Sequence, residues 1–137
     1  MGDIYGDWDS EADPCSGGTW AGYFEGEGYT ASSWVYGSDQ MLKENVADLS
    51  ISLDIIAQLN PKSYTFKRTE YPYLSLSDGT NYGLIALEVE TALPDLVANV
   101  THFPETDLAG NVVSPMLKFK GLKYTEFIPF LIGGIQE

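Results

Sequence analysis

The chain has 137 residues, 44% hydrophobic and 20% charged, which suits one globular domain with a core of its own and room for an appendage. Its formal net charge of −13 argues against nucleic acid or an anionic membrane surface as partner, because both recruit basic patches. No apolar run approaches a membrane span, Met1 to Trp8 lacks the basic head and apolar core of a signal peptide, and the single Cys15 excludes an internal disulfide framework. Nothing in the sequence calls for a cofactor.

The charge is segregated. Residues 1–37 hold seven acids and no Lys or Arg, and all seven bases lie beyond Gly37, so a boundary is expected at Gly37/Ser38: 1–37 an acidic, glycine-rich stem end, 38–137 a second unit. Asp7, Asp9, Glu11 and Asp13 alternate as calcium ligands do in a loop. The match is poor, since Ala12 stands where an EF-hand-like loop needs glycine and Gly18 where it needs a bidentate acid, so a solvated acidic linker competes with the metal reading. Thr19 to Tyr36 reads as short aromatic and β-branched strands punctuated by glycines. One or two such strands cannot cover Trp20, Phe24, Tyr29 and Trp34 by themselves, so other chains or the following domain must do so.

Ser38 and Lys43 are the candidate chemistry. A serine hydroxyl becomes a nucleophile when a base takes its proton, and a lysine can be that base when burial favours its neutral amine. On one continuous helix residues five apart diverge by about 140°. The pair can therefore meet only if Ser38 lies in an extended segment ahead of a helix starting near Asp39 or Gln40, with the Lys43 side chain leaning back toward it. The residues alone leave a bland alternative open, in which Ser38 or Asp39 caps a helix and Lys43 is merely solvated.

From Asp39 to Leu59, apolar residues at Leu42, Val46, Leu49, Leu53 and Ile56 predict a helix, kinked near Ser50 to Ser52 and stopped by Asn60-Pro61. Lys62 to Arg68 alternates as a strand, Leu76 to Asn81 contains a turn at Asp78-Gly79, and Tyr82 to Ile85 begins another strand. Ala86 to Leu93 predicts a helix ended by Pro94, Leu96 to Thr101 a strand, Asp107 to Asn111 a turn, and Pro115 to Lys123 a strand. His102 reads as an ordinary loop or strand histidine, and Asn99-Val100-Thr101 as a chance glycosylation sequon. Tyr124 to Glu137 predicts a last helix whose Tyr124, Phe127, Ile128, Leu131 and Ile135 form a seam. That seam fits either its own sheet or a partner chain. The fold class is therefore α+β, a small mixed domain with a C-terminal helix behind a glycine-rich β-stem segment.

Four segments in order carry a family resemblance: SDQMLKENV (Ser38 to Val46), LDIIAQLNPKSYTFK (Leu53 to Lys67), YGLIALEVETALPDLV (Tyr82 to Val97) and LKYTEFIPFLIGGIQE (Leu122 to Glu137). Over about residues 20–137 the chain resembles the C-terminal intramolecular chaperone domain of endosialidase tailspikes, a self-cleaving serine–lysine peptidase class also found in phage tail fibres and bacterial surface proteins. The resemblance implies a homotrimer that brings an upstream β-stem of the same polypeptide into register and then cuts itself free before the serine of S-D-x-x-x-K, here between Gly37 and Ser38. It implies Ser38 as nucleophile and Lys43 as general base, with Asp39 and Glu88 as candidate supporting residues. It also implies location on a virion tail fibre or a bacterial cell surface.

Backbone N–H groups at the start of the expected helix would hold the oxyanion, and the small Gly37 would leave its carbonyl open to attack. Two departures from the family pattern stand out. Leu87 replaces a usual glutamine, and Gly133-Gly134 replaces better helix formers, a change expected to weaken the last helix by about 1 kcal/mol per glycine. Two alternatives remain beside the self-cleaving chaperone: a non-cleaving trimerisation cap or adhesin tip, and a calcium-dependent surface module built on Asp7 to Asp13.

Overall fold

The computed structural model describes residues 27–50 and 52–137. The acidic cluster Asp7, Asp9, Glu11 and Asp13 and the glycine-rich stretch up to Gly26 lie outside the described residues. The domain is a small mixed helix and strand unit with a C-terminal helix. Its helices are α1 (Ser52–Ile56), α2 (Ala86–Ala92) and α3 (Phe127–Gln136). Its strands are β1 (Lys62–Tyr64), β2 (Asn81–Gly83), β3 (Val97–His102), β4 (Glu105–Thr106), β5 (Val112–Ser114) and β6 (Leu117–Leu122).

Among the described residues the strands pair antiparallel as three separate two-stranded ribbons: β1 with β2, β3 with β6, and β4 with β5. The longest runs from Val97↔Leu122 to His102↔Leu117, and Lys123 N–H donates to the Leu96 carbonyl just beyond its end. β4 and β5 form a hairpin that the sequence reading registered only as a turn. In that turn the Asp107 carboxylate accepts from the N–H groups of Ala109 and Asn111 and from the Asn111 amide, and Gly110 takes the left-handed φ of 85° that the bend requires. Accepting from Asn111 above all holds the Asp107 carboxyl below its ordinary value.

α2 follows from its sequence. Ala86 to Ala92 offers good helix formers, and Pro94 forces Leu93 out of the helical region, to φ −138° and ψ 71°. Its apolar face supplies Val89, which with Leu93, Leu96 and Phe127 forms the buried core. Leu84, Val97, Leu122 and Phe130 close around it, so the core lies between α2, α3 and the β3–β6 ribbon. α3 tolerates Pro129 because it falls in the first turn, where the missing N–H would be unpaired in any case.

The expected helix from Asp39 to Leu59 is not continuous. A single 3₁₀ turn, Gln40–Leu42, is followed by extended Lys43 at φ −121° and ψ 142°, and Asn45 sits at φ 54°, incompatible with a right-handed helix. The periodic Val46 and Leu49 are 70% and 50% exposed. A helix there has no face to bury, and tertiary burial is what stabilises short helices. The strand expected over Lys62 to Arg68 is likewise cut to Lys62–Tyr64, the length its partner β2 can pair.

Two tertiary ties were invisible in sequence. The Tyr124 hydroxyl accepts from Leu84 N–H at 2.9 Å and occupies the space a Cβ on Gly83 would need, fixing the Y-G-L-I segment that enters α2. His102, buried at the end of β3, bonds through Nε2 to the buried Ser114 hydroxyl and stacks on Tyr73. The histidine thus belongs to the packing between strands.

Candidate functional site

The segment 27–50 is exposed throughout, and its geometry is set by one turn. Asp39 is extended, at φ −66° and ψ 139°, and its carboxylate caps the turn by accepting from Met41 N–H at 2.9 Å. An extended residue followed by a 3₁₀ turn removes the angular divergence of a continuous helix. Lys43 folds back, and its Nζ donates to Ser38 Oγ at 2.8 Å. Both side chains are exposed.

The remaining candidates are arranged differently. Glu88 lies exposed on α2 beside Gln58 and Asn60 in a shallow cleft, and its side chain makes no hydrogen bond or ion pair to Ser38 or Lys43 among the described residues. Leu87, standing where the resemblance expects glutamine, is 66% exposed on the same helix. Gly37 has no left-handed φ, and a Cβ placed on it would meet only Leu42 Cδ1 at 3.4 Å, an ordinary contact. The turn therefore does not demand glycine.

The oxyanion donors expected at a helix start are also altered. Met41 N–H is taken by Asp39 Oδ1, Leu42 N–H by the Asp39 carbonyl and Lys43 N–H by the Gln40 carbonyl. One turn carries little of the dipole a longer helix would supply. Among the described residues no group of three or more His, Cys, Asp or Glu is placed to hold a metal ion, and no helix is long and apolar enough to cross a membrane.

Chemically, the arrangement is a hydroxyl and an amine in hydrogen-bond contact, one peptide unit from the Gly37 carbonyl. Fold and site together define a small α+β domain that presents a Ser–Lys pair on its N-terminal approach. Residues 38–98 match the family model described as chaperone of endosialidase. The carboxy-terminal domain of the bacteriophage T5 L-shaped tail fibre, solved with its intra-molecular chaperone domain, has the same fold at TM-score 0.52 and 14% identity, covering 92% of this chain and 35% of that one. This chain thus corresponds to about a third of that fibre structure. A crystal structure of a novel intramolecular chaperone is similar at TM-score 0.48 and 19% identity, over 72% of this chain and 95% of that one. No curated protein sequence matches the chain.

Proposed function

We propose that the chain is the intramolecular chaperone of a tail fibre or surface protein, that it assembles as a homotrimer, and that it releases itself by cutting between Gly37 and Ser38. The observation carrying this reading is the 2.8 Å contact between Lys43 Nζ and Ser38 Oγ at the first residues of the family match. Ser38 Oγ attacks the Gly37 carbonyl while neutral Lys43 accepts its proton. The Gly37–Ser38 amide breaks as the ester to Oγ forms, and the Ser38 nitrogen takes up a proton and leaves as the new N-terminus. Water then hydrolyses the ester, giving the Gly37 carboxylate and restoring the hydroxyl.

Assembly supports the timing. Trp34, Val35, Met41 and Leu42 are each at least 70% exposed in the single chain, and contact between chains would cover them beside the Ser38–Lys43 pair. A trimer that forms first raises the local concentration of the stem segments it carries, and removing it afterwards leaves the stem kinetically trapped. Residues 1–37 would be the end of that stem and 38–137 the chaperone, on a virion tail or in an extracellular setting.

A retained, non-cleaving trimerisation cap is the second reading. It is favoured by the turn's N–H groups already being used, which leaves the oxyanion few donors. Intact mass after incubation separates the two. Products beginning at Ser38 in the unsubstituted chain, absent in Ser38→Ala, establish cleavage; a full-length trimer that persists establishes the cap.

A further inference from the structure

Helix α1 is five residues long, too short to persist alone, and its first N–H groups have no partner within the helix. The Glu137 side chain supplies both. Its Oε1 accepts from Ser52 N–H at 3.1 Å and its Oε2 from Leu53 N–H at 2.6 Å. The close crossing of α3 over α1 that makes this possible depends on Gly133, where an added Cβ would overlap the Ser52 hydroxyl, whereas Gly134 faces the flexible end of Ile56. Ser52 is fully buried, whereas every residue from 27 to 50 is exposed, so the segment bearing Ser38 and Lys43 meets the folded body at the point Glu137 clamps.

We propose that Glu137 is a positioning residue for the cleavage step: by capping α1 it anchors the downstream end of the segment whose turn holds Lys43 against Ser38. The inference rests on the cleavage reading above. The two reacting groups sit on an exposed turn with no packing of its own, so the anchor of the following segment limits how far the turn drifts. A displacement of about 1 Å in such a pair is enough to slow a positioned reaction by about a hundredfold.

The test follows amide hydrogen exchange at Ser52 and Leu53, together with the rate at which freshly translated full-length chain yields product beginning at Ser38, well below the melting temperature. Glu137→Ala should expose both amides to exchange while the β3–β6 amides stay protected, and should slow cleavage at least tenfold. Glu137→Gln keeps an oxygen acceptor and should recover most of the rate. Unchanged exchange in Glu137→Ala would overturn the cap, and lost protection with an unchanged rate would overturn the positioning role. Loss of β3–β6 protection as well would also overturn it, since Glu137 would then support the whole fold. Failure of the cleavage reading is distinguishable, because the unsubstituted chain would itself stay intact while the exchange data still report on the cap.

Discussion

Gly133 meets Ser52 where α3 crosses α1, and a Cβ added to Gly133 would overlap the Ser52 hydroxyl and lie 3.0 Å from Ser52 Cβ. Ser52 is fully buried and cannot swing into solvent. Alanine at 133 gains about 1 kcal/mol of helix propensity but forces a packed contact apart, which costs about 1–3 kcal/mol. Gly133→Ala should therefore lower the unfolding midpoint. At Gly134 the nearest atom is the flexible end of half-buried Ile56, so Gly134→Ala should be close to neutral. Denaturant melts of the two single variants check the contrast, and equal losses would contradict it.

The same serine carries a second expectation. Its hydroxyl is buried without a hydrogen-bond partner among the described residues, a state that costs about 1–3 kcal/mol. Ser52→Ala should hold or raise stability, although it deletes a polar group from a tight crossing. A loss above about 1 kcal/mol would show that the hydroxyl has a partner in the folded protein.

Gly83 and Tyr124 should behave as one unit. Tyr124→Phe removes the acceptor for Leu84 N–H and should cost about 1 kcal/mol. Gly83→Ala drives a methyl into the Tyr124 hydroxyl and should cost about 1–3 kcal/mol. Because the phenylalanine variant lacks the clashing oxygen, the double variant should be less destabilised than the two single losses added together. A double-mutant cycle measures that coupling, and simple additivity would refute it.

These contacts mark how much was legible in the sequence. α2 was, because its helix formers end at a proline that enforces the boundary within one residue. The β3–β6 ribbon and the last helix were, because each is long enough for its pattern to register. The stretch from Asp39 to Leu59 was misread because Leu42, Val46 and Leu49 recur at helical spacing without a surface to bury against, and periodicity is blind to that. β4 and β5 escaped because strands of two and three residues carry almost no pattern. Gly133-Gly134 read as a defect because the residue they accommodate, Ser52, is remote in sequence. The Ser38–Lys43 contact was legible as a geometric condition, an extended Ser38 ahead of a turn, whereas the absence of a contact from Glu88 was not.

Acid should loosen the β4–β5 hairpin before the core. The Asp107 carboxyl is held below its ordinary value by hydrogen bonds from Asn111, so its contribution is fully present above the unfolded-chain value and is lost as pH falls through the lower folded one. The Asn111 side-chain amide should shift in NMR spectra over that acidic window while Val89 and Phe127 stay unchanged. Asp107→Asn should remove the transition, and one that persists in that variant would belong to another group.

Lys43 offers the sharpest test of the cleavage chemistry. Arginine at 43 can still donate to Ser38 Oγ, so the turn and its contact should survive, but a guanidinium stays protonated and cannot take the serine proton. Lys43→Arg should therefore be folded and intact, with the circular dichroism spectrum of the parent. Lys43→Ala should also be intact, but it leaves a gap open to solvent, because both members of the pair are exposed. A small primary amine added to Lys43→Ala can enter that gap and should restore part of the cleavage, the more so as pH rises and more of the added amine is neutral. The same amine should do nothing for Ser38→Ala, which lacks the nucleophile. Cleavage of Lys43→Arg at the parent rate would place the base elsewhere.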